Sequence, residues 1–177
     1  MELNPLDLYT GIFNMSKNIK IIDNVLEKEQ FKDIQSLMLS LHFPWFYSST
    51  VTNEKEKSNS FYFIHLFYGD YNKNSEYFNL LRPVLEFLKP NAIIRIKGNL
   101  YPNMGKKVQS NFHRDFEYEH MNAIFYLNNN NGPTVFKTGE KIESVENRLI
   151  IFNSNKDHAS TYCTDKKVRL NINFNYF

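Results

Sequence analysis

The chain has 177 residues, of which 42% are hydrophobic and 16% aromatic, and a formal net charge of +2. This length predicts a single domain, and so much apolar material excludes an intrinsically disordered protein. Basic and acidic residues are interspersed, as in Glu54-Lys55-Glu56-Lys57. The charge pattern therefore predicts no dedicated nucleic-acid surface.

Three features bear on where the protein acts. Cys163 is the single cysteine, which excludes an internal disulfide and a multi-cysteine zinc site and is typical of a reducing compartment. The N-terminal segment MELNPLDLYTGIF has no basic region or long apolar run. No stretch of about 18 apolar residues occurs in the chain, as a membrane helix would require. We therefore expect a soluble, cytoplasmic protein that does not enter the membrane.

The first half of the chain is predicted to hold two helices and two strands. KIIDN, at 20–24, predicts a short strand ending at an Asp/Asn helix cap, and FYFIHLFY predicts a buried strand after a polar loop at 48–60. NSEYFNLLRPVLEFLK predicts a second helix, in which Pro83 either causes a kink or marks the first turn. The first helix is predicted from apolar residues at helical spacing: Leu26, Phe31, Ile34, Leu37, Met38 and Leu41.

The second half is predicted to be mostly strand, in the segments IIRIKGNLY, VQSNFHRDF, MNAIFYL, TVFK, NRLIIF and VRLNINFNYF. Helices followed by short strands indicate an α+β fold, with a sandwich or jelly roll favoured over a parallel sheet. The last strand alternates strictly, with apolar residues on one face and Arg169 and three asparagines on the other. That polar face points either to solvent or into a ligand-holding barrel interior.

The segment NFHRDF contains a His-x-Asp triplet at 113–115. A kinase catalytic loop would need an Asn five residues after the Asp, where this chain has His120, and it would need a glycine-rich loop and a D-F-G motif that are absent. The kinase interpretation is therefore rejected. If the segment is a strand, His113 and Asp115 share a face and can bind one ion, while Arg114 points away. Iron(II) in oxygenases is bound by two histidines and one carboxylate, so a later histidine is required.

His158 is the best candidate for that ligand, because it follows the predicted strand LIIF. His42 and His65 lie beside aromatic residues ahead of the strand-rich half and are interpreted as core or surface residues. His120 has the wrong parity to share a face with the triplet. Arg169 is either a solvated strand residue, as is common for arginine, or a pocket residue that pairs bidentately with a carboxylate.

Several motifs occur in one characteristic order between Asn99 and Phe177. They are YPNMG ahead of the His-x-Asp triplet, YLN at 126–128, NGPTVF at 131–136, NRLIIF at 147–152, and finally His158 and Arg169. This order resembles the iron(II)- and 2-oxoglutarate-dependent dioxygenases, in particular the branch similar to prolyl 4-hydroxylases. NGPTVF resembles the GGxTxF motif of that branch, with Asn131 where its first glycine is common.

The resemblance implies a double-stranded β-helix, the cupin-like jelly roll, with N-terminal helices packed on one sheet. One domain would cover residues 1–177, with a support region at 1–92 and a catalytic core at 93–177. The implied iron ligands are His113, Asp115 and His158. The implied cosubstrate residues are Arg169, which would pair with the far carboxylate of 2-oxoglutarate, and the helpers Tyr101, Asn99 and Asn171.

The implied activity is hydroxylation of an unidentified substrate with Fe(II), 2-oxoglutarate and O₂, with release of succinate and CO₂ and with ascorbate as a candidate reductant. A protein side chain is favoured as substrate over a nucleobase or small metabolite, and the loops at 48–60 and 68–75 are candidates for selecting it. A non-catalytic, metal-binding jelly roll is the alternative, against which Arg169 argues. A cupin-type isomerase or sugar-binding domain would need His-x-His followed by Glu, and Asp115 stands in that second position.

Overall fold

A computed structural model describes residues 19–50 and 60–177. The N-terminal segment and most of the 48–60 loop, to which two of the expectations above refer, lie outside the described residues. The helical elements are α1 (Lys28–Met38), a 3₁₀ helix (Glu76–Leu81) and α2 (Arg82–Leu88). The strands are β1 (Lys20–Ile22), β2 (Phe46–Ser48), β3 (Tyr62–Gly69), β4 (Asn72–Lys73), β5 (Ile93–Pro102), β6 (Met121–Tyr126), β7 (Asn130–Phe136), β8 (Lys141–Ser144), β9 (Arg148–Asn153), β10 (His158–Ser160) and β11 (Val168–Tyr176).

The strands form two antiparallel sheets. The larger sheet has the order β1-β9-β6-β11-β5-β3-β2, with β4 paired to β3, and the smaller has the order β10-β7-β8. Arg169 on β11 donates hydrogen bonds to Gly132 and Thr134 on β7 of the smaller sheet, so the two sheets face each other. Two facing antiparallel sheets are consistent with the predicted jelly roll.

The apolar face of β11 belongs to the main hydrophobic core. Leu170, Ile172 and Phe174 lie in one buried cluster with α1 residues, and Phe31 of α1 meets Phe125 of β6 edge to face at 6.0 Å between ring centroids. The opposite, polar face of β11 is buried as well, because it faces the smaller sheet. The structure therefore decides between the two orientations left open by the sequence: the polar face lines the interior.

Two sequence predictions about α1 are wrong. The helix begins after Glu27, whose side chain makes no capping hydrogen bond, because Asn24 adopts a left-handed turn (φ 52°) that separates β1 from the helix. Leu41 is fully exposed, since the helix ends at Met38 and the apolar stripe does not continue past it. Pro83 lies in the first turn of α2, directly after the 3₁₀ helix. No helix in the described part of the chain is long and apolar enough to span a membrane.

The predicted strand VQSNFHRDF is not a continuous strand. It meets the segment from His158 to Tyr162 through two isolated bridges, Gln109 with Thr161 and His113 with His158. Backbone hydrogen bonds also run from the N–H of Ser110 to the Ser160 carbonyl (2.9 Å) and from the N–H of Tyr162 to the Val108 carbonyl (2.8 Å). The Ser110 hydroxyl accepts a hydrogen bond from the backbone N–H of Ser160 at 3.0 Å, so a side chain replaces one bond of a regular strand ladder and the pairing stays discontinuous.

Candidate metal centre and adjoining anion pocket

Three residues form a cluster able to hold a metal ion. His113, Asp115 and His158 each offer one ligand atom, and these atoms lie within 4.8 Å of one another. His113 and His158 exchange backbone hydrogen bonds of 3.0 Å, which sets their rings 4.7 Å apart between centroids. The backbone bridge, rather than strand alternation, therefore brings the two histidines together. Two imidazoles and one carboxylate are the ligand set typical of non-haem iron(II).

Hydrogen bonds orient both imidazoles toward the cluster. Nδ1 of His113 lies 3.2 Å from the carbonyl oxygen of Asn111, and Nδ1 of His158 lies 3.3 Å from that of Lys156. A carbonyl oxygen only accepts, so each Nδ1 donates to its carbonyl, and Nε2 is the ring nitrogen of each histidine left to face a metal. Burial, and then the neighbouring His158, lower the pKa of His113 to about 4. His113 is therefore neutral at pH 7 and ready to bind a cation.

The Asp115 carboxylate is anchored at both oxygens. Oδ1 accepts a hydrogen bond from Nη2 of Arg95 at 2.6 Å, and Oδ2 accepts from the side-chain amides of Asn173 (2.9 Å) and Asn175 (3.0 Å). Burial alone would raise the pKa of Asp115, but His158 and Arg95 outweigh it and hold that pKa well below its usual range. The carboxylate is thus ionised and fixed in orientation, with Oδ2 3.9 Å from Nε2 of His158.

A buried cation lies deeper between the sheets. Arg169 is 0% exposed; its Nε donates to the Gly132 carbonyl (2.8 Å) and the Ser144 hydroxyl (3.1 Å), and its Nη2 donates to the Thr134 hydroxyl (2.9 Å). Its Nη1 has no hydrogen-bond partner among residues 19–50 and 60–177. Arg169 takes part in no ion pair within the described residues. A buried, uncompensated cation with a free donor is unfavourable on its own, so the pocket fits an anion such as a carboxylate.

Two tyrosines, Tyr101 and Tyr126, lie beside Arg169. We call the surroundings of the Arg169 guanidinium the anion pocket. The guanidinium of Arg169 lies 5.1 Å from the ring centroid of Tyr101 and 5.8 Å from that of Tyr126. The Tyr101 hydroxyl accepts a hydrogen bond from Ser160 at 3.1 Å, and the Tyr126 hydroxyl donates to Thr134 at 2.7 Å. Burial raises the pKa of both tyrosines. The phenols therefore stay protonated and add polar groups around the cation.

A row of cross-strand pairs connects the anion pocket to the metal cluster. We call it the polar ladder, and its four rungs are Arg169 with Tyr101, Asn171 with Asn99, Asn173 with Lys97, and Asn175 with Arg95. In the second rung the Asn99 amide donates to the Asn171 amide oxygen at 3.0 Å, while the Asn99 oxygen has no partner. The residues assigned by sequence to the cosubstrate thus lie along one interior surface, which is joined to the metal cluster by the hydrogen bonds of Asn173 and Asn175 to Asp115.

The other histidines lie outside the cluster. His42 is exposed, and His65 is held by the Pro44 carbonyl (2.8 Å) and the Ser75 hydroxyl (2.7 Å). Nε2 of His120 lies 3.0 Å from the amide oxygen of Asn122. Each of the two buried side chains has its own partners, so neither is available as a further ligand.

Several residues of the site were not predicted as site residues, among them Arg95, Asn173 and Asn175 around Asp115, and Tyr126, Thr134 and Ser144 around Arg169. A signal existed for Arg95, which alternates with Lys97 and Asn99 on the interior face of β5, and for Tyr126 in the YLN motif. Ser144 carried no signal, since its role depends on the packing of β8 against β11, which a linear pattern does not encode.

Gly132 allows the smaller sheet to approach Arg169 closely. A Cβ atom at this position would lie 2.5 Å from the Thr161 carbonyl oxygen and 2.9 Å from Cδ of Arg169. The preceding residue, Asn131, is exposed, and its amide donates to the Thr164 hydroxyl (3.0 Å) and accepts from the Thr164 backbone N–H (2.9 Å). The residue that departs from the GGxTxF motif, Asn131, therefore lies at an exposed position of β7, whereas Gly132 packs against Arg169.

We expect Gly132→Ala to displace Arg169 and to lower the free energy of unfolding by about 1–3 kcal/mol, the usual cost of overpacking. Chemical denaturation would measure the loss. Gly69→Ala is the matched control, since a Cβ there would meet only the Leu66 side chain at 3.3 Å. Equal stability of the two variants would contradict the close approach.

The chain was compared with known proteins, and no protein-family model and no curated protein sequence matches it. Solved structures do match. A prolyl hydroxylase from Trichoplax adhaerens, in complex with a hypoxia inducible factor oxygen degradation domain peptide fragment, has 18% identity and a TM-score of 0.69, covering 90% of this chain and 83% of that chain. A Pseudomonas putida prolyl-4-hydroxylase has 14% identity and a TM-score of 0.61, covering 89% of this chain and 91% of that one.

A 2OG-Fe(II) oxygenase family oxidoreductase from Burkholderia pseudomallei has 12% identity and a TM-score of 0.67, covering 89% of this chain and 84% of that chain. At these identities the likeness concerns the fold. It agrees with the resemblance found in the order of the sequence motifs. The chain thus has the fold of the prolyl hydroxylase-like 2-oxoglutarate/iron(II) oxygenases.

Proposed function

We propose that the protein is an Fe(II)- and 2-oxoglutarate-dependent oxygenase that hydroxylates a substrate and releases succinate and CO₂. The observation that carries this proposal is Arg169, a fully buried guanidinium whose Nη1 has no partner among the described residues, on the strand whose Asn173 and Asn175 anchor Asp115 of a two-histidine, one-carboxylate cluster. A metal-binding module without catalysis would bind no 2-oxoglutarate, and its buried Arg169 would then stay without a counter-charge, which is unfavourable. The enzymatic proposal is therefore favoured over that alternative.

Each group has a definite role in this proposal. His113, Asp115 and His158 would hold the iron, which together with 2-oxoglutarate and O₂ supplies the oxidising chemistry. Arg169 binds the far carboxylate of 2-oxoglutarate, and Tyr101 helps to place it. Because Arg169 and the tyrosines beside it are buried, a charge pair formed there would be stronger than one in water.

Further residues orient these groups. Asn99 and Asn171 lie on the rung of the polar ladder between the proposed carboxylate site and the metal cluster, where they would contact the cosubstrate. Arg95, Asn173 and Asn175 keep the Asp115 carboxylate turned toward the metal. Such outer partners of a metal ligand fix its geometry and its basicity.

We propose one domain over residues 1–177, with a support region at 1–92 and the catalytic core at 93–177. Strand β3 of the support region pairs along β5 of the core, and α1 contributes to the core cluster, which supports a single unit with helices packed on the larger sheet. A reducing, cytoplasmic location is supported by Cys163, a buried free thiol. Ascorbate remains a candidate reductant for the iron.

The substrate we propose is a side chain of a protein. A cavity of about 560 Å³ is lined by Arg95, Phe116 and Tyr118 and by residues 68–71, which belong to the segment expected to select the substrate. Arg95 connects this cavity to the metal cluster, because its guanidinium is bonded to Asp115. The Trichoplax enzyme with the same fold is described in complex with a peptide fragment, which also supports a protein substrate.

Anaerobic titration with Fe(II) and 2-oxoglutarate tests the proposed function. We expect a weak visible charge-transfer band that appears only when both are present, because the keto acid must chelate the iron beside the three protein ligands. Succinate, which lacks the keto group, should give no band. After exposure to air, formation of succinate from 2-oxoglutarate should follow. A protein that gives neither band nor succinate is not a 2-oxoglutarate oxygenase.

A further inference from the structure

We propose that Lys97 binds an anionic group, a carboxylate or a phosphate, of the substrate. This inference rests on the proposed function, since it names the chemical class of molecule that the same site would oxidise. It assigns to Lys97, on the third rung of the polar ladder, a role separate from metal binding and from cosubstrate binding.

Lys97 lies on the interior face of β5. Residues 95, 97, 99 and 101 of β5 alternate toward the interior, so Lys97 lies on the same face as Tyr101 and Asn99 and is paired with Asn173 of β11. Asn173 in turn donates to Asp115. Lys97 therefore lies on a rung whose other member anchors the proposed metal ligand, and it is two rungs away from Arg169.

Lys97 is a cation of this surface that is not paired with a carboxylate among the described residues. Its Nζ lies 3.5 Å from the Tyr62 hydroxyl, a long contact, and it takes part in no ion pair among the residues that the structure describes. Arg95, on the next rung, is bound to Asp115 at 2.6 Å. A cation within an interior pocket that lacks a counter-charge is the group that an anionic ligand would neutralise.

A second observation on the same rung points to a ligand. Asn173 is only 7% exposed and uses its amide nitrogen on Asp115, while its amide oxygen has no partner. Buried amide oxygens are normally hydrogen-bonded. The third rung thus presents an ammonium with one long contact, to Tyr62, and an acceptor without a partner among the described residues, as expected of a surface that is completed by a polar molecule.

Lys97 interacts electrostatically with Asp115 of the metal cluster. Burial, followed by repulsion from Arg95, lowers the pKa of Lys97 to about 8, while Asp115 opposes this shift. The ammonium form still predominates at pH 7, and it makes the substrate side of the pocket cationic. A neutral substrate would leave this charge uncompensated, whereas a carboxylate or phosphate would be held beside the metal.

Acetylation of lysines in the unaltered protein tests the proposal directly. Protein loaded anaerobically with Fe(II) and 2-oxoglutarate would be treated with acetic anhydride, at constant ionic strength, in the presence of inorganic phosphate, acetate, or the uncharged acetamide. Mass spectrometry of peptides would give the acetylation rate at Lys97 and, as an internal reference, at the exposed Lys106. We expect phosphate or acetate to slow acetylation of Lys97 saturably and acetamide to have no effect.

The outcomes separate the alternatives. Protection by phosphate alone or by acetate alone identifies which of the two anions fits. Protection of Lys97 by 2-oxoglutarate itself, before any probe is added, would assign the residue to the cosubstrate and overturn the proposal. Lack of protection by both anions, with the charge-transfer band intact, would overturn it while leaving the proposed function standing.

Variants give an independent measurement. Calorimetry on the same loaded protein should show Lys97→Met binding the protective anion roughly 10- to 100-fold more weakly, the usual worth of a charged hydrogen bond. Lys97→Arg, which keeps the charge, should retain binding, and Lys106→Met should match the unaltered protein. Undiminished binding in Lys97→Met would contradict a role for this ammonium.

Discussion

We expect His158→Ala to lose iron binding, and we expect its rate of 2-oxoglutarate turnover to fall by more than about 100-fold as a result. Loss of a residue that only hydrogen-bonds a metal ligand typically lowers metal affinity or activity by about 10- to 100-fold. His158 is a proposed direct ligand, so its loss should cost more. Its imidazole lies in the cluster with His113 and Asp115, and the described residues offer no other group there to replace it. Iron content after anaerobic loading, and succinate formed in air, would measure the two losses.

His65→Ala is the matched control for this substitution. His65 and His158 are equally buried, at 4% exposure, but His65 is bonded to Pro44 and Ser75 and lies outside the cluster. Its removal should lower the free energy of unfolding by about 1–3 kcal/mol, the cost of leaving buried partners unpaired, and leave iron binding intact. Equal loss of iron in both variants would indicate general destabilisation and contradict the assignment of His158.

The second large effect is expected at Arg169, where function and stability should move in opposite directions. Arg169→Met should raise the dissociation constant of 2-oxoglutarate roughly 100-fold, since about two charged hydrogen bonds are lost. Without 2-oxoglutarate, the free energy of unfolding should be unchanged or should rise by about 1 kcal/mol or more, because a buried cation without a counter-charge is removed. Titration of the charge-transfer band and denaturant unfolding would measure the two quantities.

This stability expectation follows from the partners that Arg169 would leave behind. The Gly132 carbonyl still accepts from the Ser144 hydroxyl at 2.7 Å, and the Thr134 hydroxyl still accepts from Tyr126 at 2.7 Å. No buried acceptor loses its last bond. Arg148→Met, which removes an arginine paired with Asp23 on the far side of β9, is the control and should leave 2-oxoglutarate binding unchanged. A variant of Arg169 that binds 2-oxoglutarate normally would contradict the pocket.

Much of the fold was predictable because strict alternation is a local property. Strand β11 shows this best, since its apolar and polar residues can be assigned to two faces from sequence alone. Which face lies inward could not be derived, because the polar face is buried only by the smaller sheet across from it. The short strands β2, β4, β8 and β10 were missed, since two to four residues carry too little periodicity.

The candidate site was predictable only in part, for a related reason. His113 and Asp115 were grouped on the assumption of a strand, whereas the segment is held by isolated bridges and its carboxylate is turned inward by Arg95 and two asparagines. The three residues meet all the same. The anchoring groups come from β5 and β11, distant in sequence, and depend on strand register, which a single sequence does not supply.

The bridge between His113 and His158 implies that a bound ion would act as a cross-link. His158 belongs to the smaller sheet, while Asp115 is tied to β11 of the larger sheet through Asn173 and Asn175. An ion held by both would join the two sheets at a point where the chain is otherwise held by a pair of backbone hydrogen bonds. Metal loading would then restrict the separation of the sheets and contribute its binding free energy to the stability of the whole barrel.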